Sequence, residues 1–211
     1  MAITIYIPKS YLKYIYKYYT MKPLLTKNDK LMFYKFLDKA TVYFEFGSGG
    51  STYQANIRNN ITKIYTVESD REWLNKLEKQ VYSNKVKFLY NEMNTEPKTF
   101  GHPGKDATYT QMINYSNNMR NLPEDEQQKI DLVLVDGRFR VACCLKCFAI
   151  IKPDCLIAFD DFLNRPQYHI VLDYYNIVEK TKDNRMVILQ KKGDVSYIEE
   201  DIIKKYELIA D

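Results

Sequence analysis

Four clusters of residues have the types and spacing to do chemistry. The first is Glu45-Phe46-Gly47-Ser48-Gly49-Gly50-Ser51-Thr52, which closes an apolar run and opens a helical pattern. Glycines there let the backbone turn tightly and come close to a ligand, and the N–H groups that follow can hold a carboxylate or phosphate. Thr52 stands where a dinucleotide fingerprint has its third glycine, and no Gly-Lys-Ser/Thr follows as in a P-loop. The second cluster is a single acid, Glu68, eighteen residues past Gly50 and at the end of the next apolar run. An acid in that register suits a ribose diol, because a carboxylate accepts two O–H bonds.

The third cluster is Asp136 with Asp160-Asp161, each closing a further apolar run. Three carboxylates at one sheet edge have the hard oxygen donors that Mg²⁺ or Mn²⁺ prefers. An ion held there would bind two hydroxyls of an acceptor, lower the pKa of one and orient it. The alternative is that Asp136 touches a ligand directly while arginines such as Arg138 and Arg140 neutralise Asp160 or Asp161. The fourth is Asn164-Arg165-Pro166-Gln167-Tyr168-His169. Pro166 early in a helix, with Asn164 as cap, would put His169 in the first turn, where the helix dipole keeps an imidazole neutral and basic. His102, in an irregular stretch, is the other imidazole.

These residues need elements to position them. TVYFEFG (41–47), KIYTVES (63–69), KVKFLYN (85–91), DLVLVDG (131–137) and CLIAFDD (155–161) are β-branched and aromatic runs. Helical patterns separate them at 51–59, 70–83, 108–119 and 139–151, so the chain reads as a parallel, doubly wound α/β sheet. NIVEKT (176–181) and RMVILQK (185–191) flank Lys182-Asp183-Asn184, a hairpin turn. Helices are expected over 9–20, over 27–39 with Thr26 or Asn28 at its cap, and over 195–208. Residues 92–107, with Pro97, Gly101, Pro103 and Gly104, form a long loop of the kind used as a lid. The expected division is a basic, Tyr-rich helical extension over 1–40, packed on a domain over 41–211.

Composition narrows the classes. The 211 residues are 45% hydrophobic and 27% charged, ordinary for a globular domain and against dominant disorder. The net charge of +4 is too small to point to nucleic acid, although eight lysines fall within residues 9–39. No apolar run reaches membrane-span length, and Lys9, Lys13 and Lys17 interrupt any signal-peptide core. Cys143, Cys144 and Cys147 crowd one helical pattern, which fits buried small hydrophobes better than zinc or a secreted disulfide framework. The expectation is a reduced, cytoplasmic protein.

The E-x-G-x-G-G-S-T loop, Glu68 and the Val135-Asp136-Gly137 of the fourth run resemble class I S-adenosylmethionine-dependent methyltransferases over residues 41–191. The resemblance implies a seven-stranded Rossmann-like sheet whose last two strands form a hairpin, with S-adenosylmethionine as cofactor. It implies that Glu45, Gly47, Ser48 and Gly49 line the methionine end of the donor, with Ser51, Thr52 and Asp136 close by. Glu68 would hold the ribose, and Asn91 and Glu92 would lie near the adenine.

Leu134-Val135-Asp136-Gly137-Arg138-Phe139-Arg140 lacks the Asp/Asn-Pro-Pro-aromatic tetrad of enzymes that methylate exocyclic base amines, and no Pro-Cys occurs as in cytosine C5 enzymes. This points toward transfer to oxygen on something other than a nucleobase. The aspartates are similar to those of metal-dependent sugar O-methyltransferases, which often carry a second acid where this chain has Arg138. The Asp-Gly-Arg-x-Arg and Asp-x-x-x-Arg-Pro-x-Tyr-His pair also resembles methyltransferases encoded beside glycosyltransferases, including those of large algal viruses that cap glycan rhamnose. The resemblance implies a sugar or glycan acceptor contacted by His102, Arg138, Arg140, Arg165 and Tyr168. Asp136, with Asp161 or His169, would be catalytic, and Mg or Mn on Asp136, Asp160 and Asp161 optional. It also implies a setting in host cytoplasm, as one domain of a larger glycosyltransferase-containing protein. A phenol or catechol acceptor, an RNA-binding module using the basic N-terminal helices, and a non-catalytic scaffold stay open as alternatives.

Overall fold

A computed structural model describes residues 21–81 and 83–210. The helix expected over 9–20 lies outside the described residues. Seven strands form one sheet: β1 (Val42–Phe46), β2 (Lys63–Glu68), β3 (Val86–Tyr90), β4 (Leu132–Val135), β5 (Leu156–Phe159), β6 (Tyr175–Lys180) and β7 (Val187–Lys191). Their order is β3-β2-β1-β4-β5-β7-β6. β1 to β5 run parallel, and β7 is antiparallel to both β5 and β6. This is the doubly wound Rossmann-like sheet with a terminal hairpin that the sequence predicts. Asn184 takes the left-handed conformation (φ 54°) that the hairpin turn requires.

Each central strand is buried on both faces, which is why the runs are almost wholly apolar. Phe44, Phe46, Val133, Val135, Ile157, Phe159, Val187 and Leu189 point into one core; Tyr43, Leu132, Leu134, Ala158 and Ile188 point into the other. Helix α1 (Lys27–Leu37) packs Met32, Phe33 and Leu37 into the second core, starting from a capping box between Thr26 and Asp29. It is tied to the terminal hairpin by Lys35–Glu179 at 2.6 Å and Thr26–Asp183 at 3.1 Å.

Along the chain follow α2 (Gly50–Asn56), α3 (Arg71–Gln80), α4 (Tyr109–Asn117), α5 (Glu124–Gln127), α6 (Arg140–Cys147) and α7 (Glu200–Lys204). The sequence did not signal α5, four polar residues with none buried. The helix expected after β5 is instead a 3₁₀ segment, Pro166–Asp173, entered from Arg165 without a side-chain cap; Asn164 does not cap it. Its buried side chains, Tyr168 and Val171, are three residues apart, the repeat of a 3₁₀ turn. The strand order reverses between β1 and β4. Their carboxyl ends therefore open a crevice, the place where open α/β sheets take ligands.

Candidate active site

A cavity of about 560 Å³ occupies that crevice. Its floor is the loop after β1. Gly47 holds φ +95°, and a Cβ there would stand 2.8 Å from Gly137 Cα, so the β1 and β4 loops touch backbone to backbone. Gly47, Ser48, Gly49, Gly50 and Ser51 line the cavity, while Thr52 and Glu45 lie beneath the loop. Glu45 is fully buried on the second-core face of β1, where it accepts from the Tyr43 hydroxyl at 2.8 Å and from Thr52. The Thr52 hydroxyl also accepts from the Gly49 amide at 2.9 Å. Glu45 is thus tied to the loop through Thr52 rather than presented to the cavity, and burial pushes its carboxyl up to about 7.

Glu68 ends β2 at the cavity wall. Its Oε1 accepts from the amides of Ser69 (2.7 Å) and Asp70 (2.8 Å), and its Oε2 from the Ser48 hydroxyl (2.6 Å). Burial raises its pKa against these bonds. Oε2 keeps acceptor capacity for one more O–H. Asp70 caps α3, whose Trp73 donates its indole N–H to Ser48 O at 3.0 Å. The long loop folds back over Glu68: Gly101, at φ +75°, lies so close that a Cβ would stand 2.7 Å from Ser69 Oγ. Ser69 Oγ donates to Gly101 O at 2.9 Å, and Arg138 Nε to Phe100 O at 3.0 Å.

The third wall is a cluster of carboxylates and arginines. Asp136, Asp160, Asp161, Arg140 and Arg185 all line the cavity. Arg140 Nη2 lies 3.1 Å from Asp136, and its Nη1 donates to Asp160 O at 2.9 Å. Asp161 is gripped by Arg165 at 3.1 Å, by Arg185 and by Arg140 at 3.7 Å. Asp160 is 2% exposed, and its Oδ1 has no hydrogen-bond partner. Burial, with Asp136 and Asp161 beside it, pushes Asp160 up to about 8; burial also raises Asp136, against Arg140. This corrects the expected Mg²⁺ or Mn²⁺ site. Guanidinium groups interleave the three aspartates, so the donor set does not fit a hard divalent ion. No group of three or more His, Cys, Asp or Glu among the described residues has a metal-holding arrangement. The pairing alternative for Arg140 is the one observed.

Other expected site residues lie elsewhere. Tyr168 is fully buried and receives Arg165 Nη1 at 2.7 Å. His169 is off the cavity, its ring tilted against that of Phe162 with centroids 5.3 Å apart. His102 is exposed, at a shallow depression beside Pro103 and Lys105. Asn91 donates to Gln111 O, and Glu92 is bound to Tyr90 and the Asn94 amide; neither lines the cavity. Cys143, Cys144, Cys147 and Cys155 are buried free thiols, and burial pushes Cys155 up to about 12. Conversely, Lys22, Leu24, Trp73, Phe100, Tyr115 and Arg185 line the cavity without having been singled out. Trp73 and Tyr115 sit at apolar helix positions that read as core, and Arg185 arrives from the hairpin 24 residues after Asp161.

No protein-family model and no curated protein matches the chain. Solved structures do match its fold. A methyltransferase-like protein from Silicibacter pomeroyi is 23% identical with a TM-score of 0.76, covering 90% of this chain and 98% of its own. A putative caffeoyl-CoA O-methyltransferase from Staphylococcus aureus is 14% identical with a TM-score of 0.50, covering 87% and 91%. An rRNA methylase from Streptococcus thermophilus is 8% identical with a TM-score of 0.50, covering 80% and 99%. The fold of this chain is the fold of these methyltransferases.

Proposed function

We propose that the chain is an S-adenosylmethionine-dependent methyltransferase acting on a hydroxyl oxygen. The observation that carries this reading is one cavity at the β1/β4 switch point, bounded by the glycine loop, Glu68 and the Asp136–Asp160 pair. When bound, S-adenosylmethionine supplies an electrophilic methyl carbon on a sulfonium sulfur. The backbone of Gly47–Gly49 accommodates the amino-acid end, and Glu68 Oε2 accepts a ribose hydroxyl. Asp136, braced by Arg140, orients the acceptor hydroxyl. Asp136, whose side chain is partly exposed at the cavity wall, would take its proton as the methyl carbon passes from the sulfonium sulfur to the acceptor oxygen and the C–S bond breaks. Asp161 serves to hold Arg165 and Arg185, and His169 has no part in this scheme.

We favour a sugar hydroxyl of a glycan or glycoside as acceptor, rhamnose among the candidates. Arg138, Arg140, Arg185 and Asp136 offer several hydrogen-bonding groups at the acceptor end, which suits a polyol. The test is thermal unfolding with S-adenosylhomocysteine, followed by transfer of labelled methyl to rhamnosides and to catechol. Ligand at about 100 times Kd adds about 2.7 kcal/mol, a rise of about 5–10 °C at this size. No rise would overturn the donor reading, and transfer to catechol but not to rhamnosides would move the acceptor to phenols. Because the aspartates are arginine-held, added Mn²⁺ is expected to leave the rate unchanged.

A further inference from the structure

Strand register sets Asp136 and Asp160 side by side. β4 and β5 run parallel with Val135 opposite Phe159, and the ladder continues through the Asp160 amide, which donates to Val135 O at 3.1 Å. The next residue on each strand is an aspartate, so the same register brings Asp136 beside Asp160. Cross-strand neighbours share a face, and like charges placed that way repel. Both residues line the cavity, yet they are not equivalent. The side chain of Asp136 is partly exposed and has Arg140 Nη2 at 3.1 Å, whereas that of Asp160 is buried.

Of the three aspartates, Asp160 is the one whose carboxyl no guanidinium reaches. The nearest guanidinium nitrogens, Arg185 Nη2 at 3.9 Å and Arg140 Nη1 at 4.0 Å, lie beyond hydrogen-bond distance. Arg140 spends its Nη1 on the backbone carbonyl of Asp160 instead, and Arg138 acts on Asp136. The other groups facing Asp160 are carboxyls: Asp136, the adjoining Asp161, and Asp29 of α1, which is fully buried with Oδ2 3.6 Å from Arg185 Nε. Ionised, Asp160 would be a buried charge whose Oδ1 accepts from nothing, with three further carboxyls around it. Buried carboxylates avoid that arrangement by keeping a proton.

We propose that Asp160 is held as the carboxylic acid and donates its proton to the Asp136 carboxylate, so that the two strand ends share one proton and one negative charge. The hydrogen bond between the two carboxyls favours the charge on Asp136, and burial with the neighbouring carboxylates pushes Asp160 up to about 8. Asp160 is thereby a positioning residue. It holds the Asp136 carboxylate from β5 while Arg140 holds it from α6, and Asp136 keeps acceptor capacity for a ligand at the cavity wall. The role of Asp136 as base rests on the methyltransferase reading; the shared proton does not.

The experiment is infrared difference spectroscopy of the full chain against Asp160→Asn at pH 6. The unmodified chain is expected to show a carboxylic-acid C=O stretch that Asp160→Asn lacks; other buried acids such as Glu45 are common to both and cancel. Absence of that band from the difference spectrum overturns the inference. The positioning role is read from methyl transfer. Asp160→Asn, whose amide N–H can still donate to Asp136, should retain at least about tenfold more activity than Asp160→Ala. It should also escape the fall in rate that the unmodified chain shows as pH rises through about 8. Equal losses in the two variants, or the same alkaline fall in Asp160→Asn, overturn that role, with the thermal midpoint of each variant as the fold control. An acid band in a chain that does not bind S-adenosylhomocysteine would uphold the shared proton and overturn the donor reading.

Discussion

The guanidinium of Arg140 lies 3.1 Å from the carboxylate of Asp136, one helical turn before it, and donates to the backbone carbonyl of Asp160 at 2.9 Å. One buried cation therefore joins the ends of β4 and β5, the two strands that carry the acidic side of the cavity. The fork of a guanidinium can do this; a single ammonium cannot reach both. Arg140→Ala is expected to leave buried carboxylates without a counter-charge, costing about 3–5 kcal/mol of stability in urea denaturation. Arg140→Lys should recover part of that stability while methyl transfer stays low.

Under the proposed donor reading, Glu68→Gln should weaken S-adenosylhomocysteine about tenfold or more in calorimetry, since the carboxylate that would accept a ribose hydroxyl becomes a neutral amide. Glu92→Ala should leave the affinity within about twofold, as for an exposed side chain with local partners only. A large loss in the second variant would restore Glu92 to the adenine site and show that the long loop rearranges on binding.

Glu45 makes stability depend on pH. Burial raises its folded-state pKa from an ordinary carboxylate value near 4.5 to about 7. Between those values the folded chain keeps a proton that the unfolded chain has lost. Stability therefore falls as pH rises through this window, by a few kcal/mol at most on the order given by the shift. Asp160, raised to about 8, adds to the same slope and extends it upward. Urea denaturation at pH 5, 6, 7 and 8 should show a declining midpoint, and a shallower decline in Glu45→Gln. A midpoint that rises over this range in the unmodified chain would contradict the burial argument.

Gly47→Ala is expected to cost about 1–3 kcal/mol, because alanine meets both a φ of +95° and the Gly137 backbone at 2.8 Å. Donor affinity should fall with it, since relief of the clash must displace the loop that Thr52 and Glu45 hold in place. Thermal unfolding with and without S-adenosylhomocysteine reads both effects in one series.

The sheet was legible because strands buried on two faces are short apolar runs, and those of β1, β4 and β5 end where a Gly or Asp, and that of β2 where Glu68, marks the carboxyl edge. Phe46-Gly47, Glu68 and Val135-Asp136 located the crevice for that reason. The segment after β5 was misread because Pro166 opens a 3₁₀ turn as readily as an α-helix, and the spacing of Tyr168 and Val171 suits either. The metal expectation failed on a long-range fact. Arg185 reaches Asp161 only because β7 lies antiparallel beside β5, and no local spacing encodes that meeting. Glu45 was expected at the ligand because of its place in the loop motif, but strand alternation turns it to the face shared with Tyr43.

Trp73 is the chain's one tryptophan, and its indole is fastened to the carbonyl of Ser48. All indole emission from this protein thus comes from one spot against the glycine loop. A fluorescence trace during refolding would time the setting of that loop, where circular dichroism would time the helices. If the two traces differ, the ligand crevice is completed separately from the sheet that bears it.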